Sequence, residues 1–166
     1  NWKSLGKSWA NVSNTPYREY KNWSHEGGIK TPLIAYWPKQ IKNKGLVTHQ
    51  AVHFIDFLPT LQEVADADYP KKLNGNVIIP SPGKSFLSQI IGDASTERND
   101  PIFWQWQHGK AVRYGNWKLV AYMGEWELYN LKNDPVEEKN LVQEEPEKAE
   151  NLKKLYEEWA KQFRTD

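Results

Sequence analysis

Lys21 and His25 stand four residues apart, immediately ahead of Gly27-Gly28, and this grouping has the chemistry of an anion site. Lysine supplies a fixed positive charge, and histidine can give or take a proton near neutral pH. Glycine amides can approach an oxyanion with no side chain in the way. A spacing of i and i+4 puts both side chains on one face if the segment is helical. The plainer reading of the same residues is a surface lysine, a turn histidine and an ordinary glycine turn, and spacing alone favours it.

Other groupings are weaker. His49 and His53 repeat the i, i+4 spacing, which can place two imidazoles on one metal. No third ligand stands nearby, so structural histidines are expected. Gly83-Lys84-Ser85 has the ending of a phosphate loop, but Ile78 occupies the position where that loop needs its first glycine. The strand and the glycine-rich cradle are also missing, which argues against a nucleotide site. Asp56 is explained by helix capping without catalysis.

The elements that must position these residues follow from punctuation and periodicity. Thr15 before Pro16 is a helix start and Gly27-Gly28 a stop, which predicts a helix carrying Lys21 and His25. Residues 1–13, with Trp2 and Trp9, read as a loop entering it. Leu33-Ile34-Ala35-Tyr36-Trp37, closed by Pro38, reads as a buried strand, and Leu46-Val47-Thr48 as a short edge strand. Between them, 39–45 is a basic solvated turn. A helix capped by Asp56 covers 55–65, with Phe57, Leu58, Leu61, Val64 and Ala65 on one apolar face. Residues 66–82 read as loop, with turn signals at Asn74-Gly75 and Pro80-Ser81-Pro82. A short helix over 86–91 ends at Gly92. The polar stretch 93–100 is a subdomain boundary, separating 1–97 from 98–166. Beyond it, short aromatic strands at 102–106, 110–114, 117–122 and 126–129 predict an antiparallel meander. Pro146 opens a final amphipathic helix whose stripe of Ala149, Leu152, Leu155, Tyr156, Trp159, Ala160 and Phe163 should cover one sheet face.

Composition bounds the classes. A hydrophobic fraction of 39% with 26% charged residues is globular in character over these 166 residues. Nine Trp and eight Tyr suit a filled core, a carbohydrate face or an interface. A net charge of +1, with basic and acidic residues interspersed, argues against a nucleic-acid partner. The absence of cysteine excludes disulfides, thiolate metal sites and a Cys nucleophile within this chain. No apolar run reaches the roughly 20 residues that a membrane span needs. The chain begins with Asn rather than Met, and a mature fragment or a cut piece is expected. No residue pattern assigns a compartment; a periplasmic or secreted parent protein is the expectation.

The segment from Tyr20-Lys21 through Glu26-Gly27-Gly28 to Thr31-Pro32-Leu33-Ile34 resembles the second signature of the formylglycine-dependent sulfatases, arylsulfatase type. Further marks follow in family order. Asp56 with Pro59-Thr60-Leu61 is similar to an Asp-x-x-Pro-Thr-Leu helix, and Pro82-Gly83-Lys84-Ser85-Phe86 to the Gly-Lys-Ser-Leu segment after it. Phe103-Trp104, Ala111-Val112-Arg113 and Trp117-Lys118-Leu119-Val120 resemble strands of the family's C-terminal subdomain. Glu127-Leu128-Tyr129-Asn130 and Asp134-Pro135 look like its closing Glu-Leu-Tyr-Asp and Asp-Pro-x-Glu elements.

The resemblance implies a mixed α/β (α+β) fold. It would be the C-terminal end of an alkaline-phosphatase-like α/β domain, followed by a small four-stranded antiparallel sheet on a C-terminal helix. It implies hydrolysis of sulfate esters, on a sulfated small molecule or glycan, with a hydrated formylglycine as nucleophile and a divalent cation, usually calcium. Lys21 would contact the sulfate, His25 would lie near the same pocket, and Gln105, Trp106 and His108 would sit in a hairpin that could reach substrate. The plainer account of that hairpin is an exposed turn. The Cys/Ser-x-Pro-x-Arg maturation motif and the acidic metal-binding segment are not in this chain and are expected upstream of residue 1. The chain alone should therefore bind no cation and hydrolyse no sulfate ester. Its cut apolar faces should favour self-association. The rival functions are a phosphate or phosphonate ester hydrolase of the same superfamily and a non-catalytic glycan-binding or interaction module.

Overall fold

A computed structural model describes residues 5–92 and 98–163. The chain divides into two compact units, one of Asn1–Pro32 with Asn99–Asp166 and the other of Leu33–Arg98. The boundary expected over 93–100 falls largely on residues outside the described set, as does Trp2.

The first unit is built on a four-stranded antiparallel meander: β3 (Ile102–Trp106), β4 (Gly109–Tyr114), β5 (Trp117–Tyr122) and β6 (Glu127–Asn130). These are the aromatic and β-branched runs, joined by tight turns. Gly115 takes φ 58 in the β4–β5 turn, where a left-handed residue matches the twist of the paired strands. The register aligns Phe103, Val112, Leu119 and Leu128 across all four strands. That row faces α5 (Pro146–Lys161), with Pro146 opening the helix. Ala149, Leu152, Tyr156 and Ala160 of α5 are buried against it, and Phe103 stacks on Trp159 at 4.9 Å. The apolar stripe thus lies on the sheet as its period requires, except for Phe163, which follows the end of the helix and is 68% exposed.

Because side chains alternate along a strand, the other face carries Trp104, Ala111, Val120 and Tyr129, and also Lys118, Glu127 and Trp106. This second face is covered by the N-terminal segment, which contributes two short helices, α1 (Lys7–Val12) and α2 (Glu26–Ile29). The predicted helix from Thr15 to Gly27 does not form. Thr15 donates its hydroxyl back to the Val12 carbonyl at 2.8 Å instead of capping forward. Glu19 and Asn22 take φ 67 and 85, which no right-handed helix accommodates. Helix propensity over ten residues is small, and the contacts that Arg18 and Glu26 make with the sheet outweigh it. The predicted loop over 1–13 contains α1 instead.

In the second unit a 3-10 turn at Phe54–Asp56 leads into α3 (Phe57–Ala65), close to the expected helix, and α4 (Leu87–Ile91) ends at Gly92 with φ 98. Residues 66–82 are not all loop. A two-residue hairpin, β1 (Lys72–Leu73) with β2 (Asn76–Val77), turns on Asn74-Gly75, both left-handed. The expected strands at 33–37 and 46–48 are absent. A strand exists only within a ladder, and no described stretch offers these two an edge; Ile34 and Tyr36 are 89% and 87% exposed.

Asp56 organises this unit, but not by capping α3. Its carboxylate is buried and accepts from the His53 and Lys84 amides at 2.7 and 2.9 Å, and pairs with Arg98 at 2.5 Å. Thr60 donates to the Asp56 carbonyl at 2.7 Å and accepts from the Phe86 amide at 3.0 Å. A Cβ on Gly83 would collide with the Ile55 carbonyl, so only glycine permits the crossing. The Gly-Lys-Ser run is therefore a structural clasp. His53 caps the 3-10 turn, accepting from the Ile55 amide at 3.4 Å.

Candidate functional site

Lys21 lies at the tip of a turn, not on a helix. The Trp23 amide donates to the Tyr20 carbonyl at 3.1 Å, and left-handed Asn22 completes the reversal. The Lys21 side chain is exposed and makes no ion pair among the described residues. The adjoining Asn22 accepts from the Trp106 indole N–H at 3.2 Å, and a Cβ on Gly109 would meet the Ser24 hydroxyl at 2.9 Å. The Lys21 turn therefore rests against the β3–β4 hairpin, bringing together Lys21 and Trp106, which are 85 positions apart in sequence. Trp23 stacks on Tyr122 at 3.8 Å, and His108 meets the edge of the same tyrosine at 6.3 Å. Trp106 is 60% exposed, a large apolar plate held against the turn that carries Lys21.

The other sequence candidates go elsewhere. Gln105 is on the opposite sheet face and accepts from the Tyr156 hydroxyl at 2.9 Å. With His108, Lys110 and Met123 it lines an open cleft of about 360 Å³ between the two hairpin turns. His25 is buried, with 1% exposure, against the edge of Trp23 at 5.6 Å. Its Nε2 lies 3.3 Å from Glu127 Oε2 and must carry the hydrogen, because a carboxylate only accepts.

Beneath the turn is a set of charges. Lys118, fully buried, places Nζ 2.8 Å from both Glu26 Oε1 and Glu137 Oε1. The Glu26 amide donates to Glu137 Oε2 at 2.7 Å. Arg18 donates from Nη1 to the Glu137 carbonyl at 2.6 Å and to the Tyr129 hydroxyl at 2.9 Å, and Tyr129 donates a short hydrogen bond to Glu127. Burial pushes the Glu26 carboxyl up, but Lys118 overrides it and the net shift is downward. The hydrogen bond from His25 is the main cause that holds Glu127 at about 2; Tyr129 and Arg18 add to it against the burial. Burial and the Glu127 hydrogen bond raise Tyr129, so its phenol remains a donor.

Sequence reasoning missed this cluster. A signal existed at Lys118, which shares strand parity with Val120 and Tyr122, so an inward lysine there demands acidic partners. Glu137 is the Glu of the Asp-Pro-x-Glu element that opens at Asp134-Pro135, but that element gave no sign of its burial or its partners.

No group of three or more His, Asp or Glu side chains among the described residues could hold a metal ion, and the chain has no cysteine. A cation finds no ligand set among the described residues, and a formylglycine made from cysteine has no precursor in the sequence.

The family model described as N-sulphoglucosamine sulphohydrolase, C-terminal, matches residues 18–165, and the chain belongs to that family. An uncharacterized sulfatase of Schizosaccharomyces pombe is 31% identical over 93% of this chain and 28% of its own length. A sulfatase of Formosa agariphila is 34% identical over 81% of this chain and 27% of its own. A solved Bacteroides thetaiotaomicron structure from work on the metabolism of multiple glycosaminoglycans superposes with a TM-score of 0.67 at 26% identity, covering 86% of this chain and 31% of that one. The chain thus spans under a third of each of these proteins.

Proposed function

We propose that this chain forms one wall of the active site of a sulfate-ester hydrolase, with Lys21 as the group that contacts the sulfate. The reading rests on one observation above others: Lys21 is exposed, with no ion pair among the described residues, on a turn whose next residue, Asn22, is held by the exposed Trp106 indole. Negative charge builds on the sulfuryl and leaving oxygens as the ester bond breaks, and a cation already in place stabilises it without reorganisation. Trp106 offers a flat apolar surface on which a sugar ring could stack, its polarised C–H groups against the indole face. The substrate class is a sulfated glycan, a reading supported by the glycosaminoglycan context of the Bacteroides relative. His25 is proposed to steady Trp23 and the turn, since it is buried among Glu127 and Trp23. The nucleophile, together with a divalent cation, would come from other parts of the whole protein.

The test is Lys21→Ala in the full-length parent protein, assayed on a sulfated oligosaccharide and on the matching phosphate ester. Loss of one transition-state charge contact costs on the order of 10²–10³ in rate. The thermal midpoint should not move, because the Lys21 side chain is exposed. Full sulfatase activity in the variant would remove Lys21 from the mechanism. A loss confined to the phosphate ester would reassign the reaction.

A further inference from the structure

Lys21 sits on a loop whose two ends meet on one buried residue. At one end Arg18 donates to the Glu137 carbonyl at 2.6 Å. At the other, the Glu26 amide donates to Glu137 Oε2 at 2.7 Å, and Lys118 bridges the two carboxylates at 2.8 Å each. Within the loop the Gly27 amide donates to the Arg18 carbonyl at 2.9 Å, so the ends also join each other. A Cβ on Gly27 would collide with the carbonyls of Arg18 and Glu19, and one on Gly28 with that of Trp23. Glu137 is fully buried and holds φ 63, a left-handed conformation that a non-glycine residue keeps only where its surroundings impose it.

The same sheet face shows what plain packing looks like, at Ala111 and Val120. A buried ion cluster is a poor source of net stability compared with such packing, because desolvation cancels most of the attraction. It is strong in direction: the Glu137 carboxylate accepts from the Glu26 amide while its backbone carbonyl accepts from Arg18, so one residue sets the distance between the loop ends. We propose that Glu137 is a positioning residue for Lys21. It clasps Arg18 and Glu26 and thereby sets where the Lys21 ammonium stands relative to substrate. This rests on the reading of Lys21 as the sulfate contact.

The experiment is a four-way comparison in the full-length parent protein: unchanged, Glu137→Gln, Lys21→Ala and the double variant. Glutamine can still accept from the Glu26 amide but loses the charge that Lys118 needs. With Lys21 present, Glu137→Gln should lower kcat on a sulfate ester by on the order of tenfold to a hundredfold, the scale of an ångström misplacement. With Lys21 already removed, the same change should alter kcat by less than about twofold, because residues acting as a unit are not additive. The drop in thermal midpoint should be the same in both backgrounds. An equal fold-loss of kcat in both backgrounds would show a merely structural role and overturn the proposal. Unchanged kcat in Lys21→Ala alone would overturn the reading of Lys21, and the positioning role with it; the single variant reports this separately. Should Glu137→Gln fail to fold, Arg18→Lys supplies the same cycle from the part-exposed end of the clasp. Losses that multiply there also overturn the proposal.

Discussion

Replacing Lys118 by methionine isolates the energetics of the buried cluster. Methionine keeps the length and much of the volume of the lysine stem but removes the ammonium that lies 2.8 Å from both Glu26 and Glu137. Glu137 keeps the amide of Glu26, and Glu26 keeps the exposed Lys30 at 3.5 Å and the more distant charge of Arg113. Two carboxylates then face each other in a site where neither is more than 3% exposed. Removing one partner of a buried pair costs about 3–5 kcal/mol. That is a large share of the roughly 5–15 kcal/mol that holds a domain folded. The loss must depend on pH, and its sign is fixed. One of the two acids in the folded variant is pushed above its unfolded value and retains a proton that the unfolded chain has released. The folded variant therefore gains relative stability as pH falls, by roughly 1.4 kcal/mol per pH unit until the unfolded carboxyls also protonate near pH 4.3. Urea titration followed by tryptophan fluorescence, at about pH 7 and again at about pH 5.5, reads both quantities. A loss below about 1 kcal/mol at neutral pH, or one that does not shrink on acidification, would refute the account of this cluster.

Two further outcomes are expected. Glu127 is depressed to about 2, first by the His25 hydrogen bond, so its contribution to stability is present above the ordinary carboxylate range and is lost as pH falls through about 2. His25→Phe should remove most of that depression, shift the acid-unfolding midpoint upward and raise the Glu127 pKa in carboxylate-resolved NMR; an unmoved Glu127 would refute the assignment. The chain should also self-associate, because Ile34, Tyr36, Phe54 and Leu61 are exposed within the second unit. Light scattering should show mass rising with concentration, and a monomer at all concentrations would count against it.

Much of this architecture was legible in the sequence where local pattern and tertiary demand agree. The meander strands are short aromatic and β-branched runs, and their turns carry the residues those turns need. The stripe on α5 has the helical period, so its docking face could be named in advance. Legibility failed where tertiary contacts overrule local preference. Thr15-Pro16 and Gly27-Gly28 are sound helix punctuation, yet anchors on a strand about a hundred residues away pull the intervening chain into a turned loop. Leu33–Trp37 has strand composition, but pairing is a property of two segments, and one cannot supply it. In the candidate site, Lys21 and Trp106 could be singled out by type, whereas their adjacency could not be read from spacing. Gln105 and Trp106 are neighbours in sequence and part company in space, because alternation sends them to opposite faces of the sheet. Glu137 was invisible to composition and period alike, since its importance comes only from the contacts that converge on it.

The clasp on Glu137 has a consequence for how the molecule assembles. Its hydrogen bonds join residues 111 and 119 positions apart, spanning most of the chain. Closing so long a span costs chain entropy that grows as the logarithm of its length, and no local contact repays it early. The meander, whose contacts are local, is therefore expected to form before the Lys21 turn settles. During synthesis the signature residues emerge first and acquire their geometry last, after Glu137 has followed them out. A chain ended just short of Glu137 would contain every residue of the Lys21 turn but lack the contacts that join Arg18 and Glu26 on Glu137.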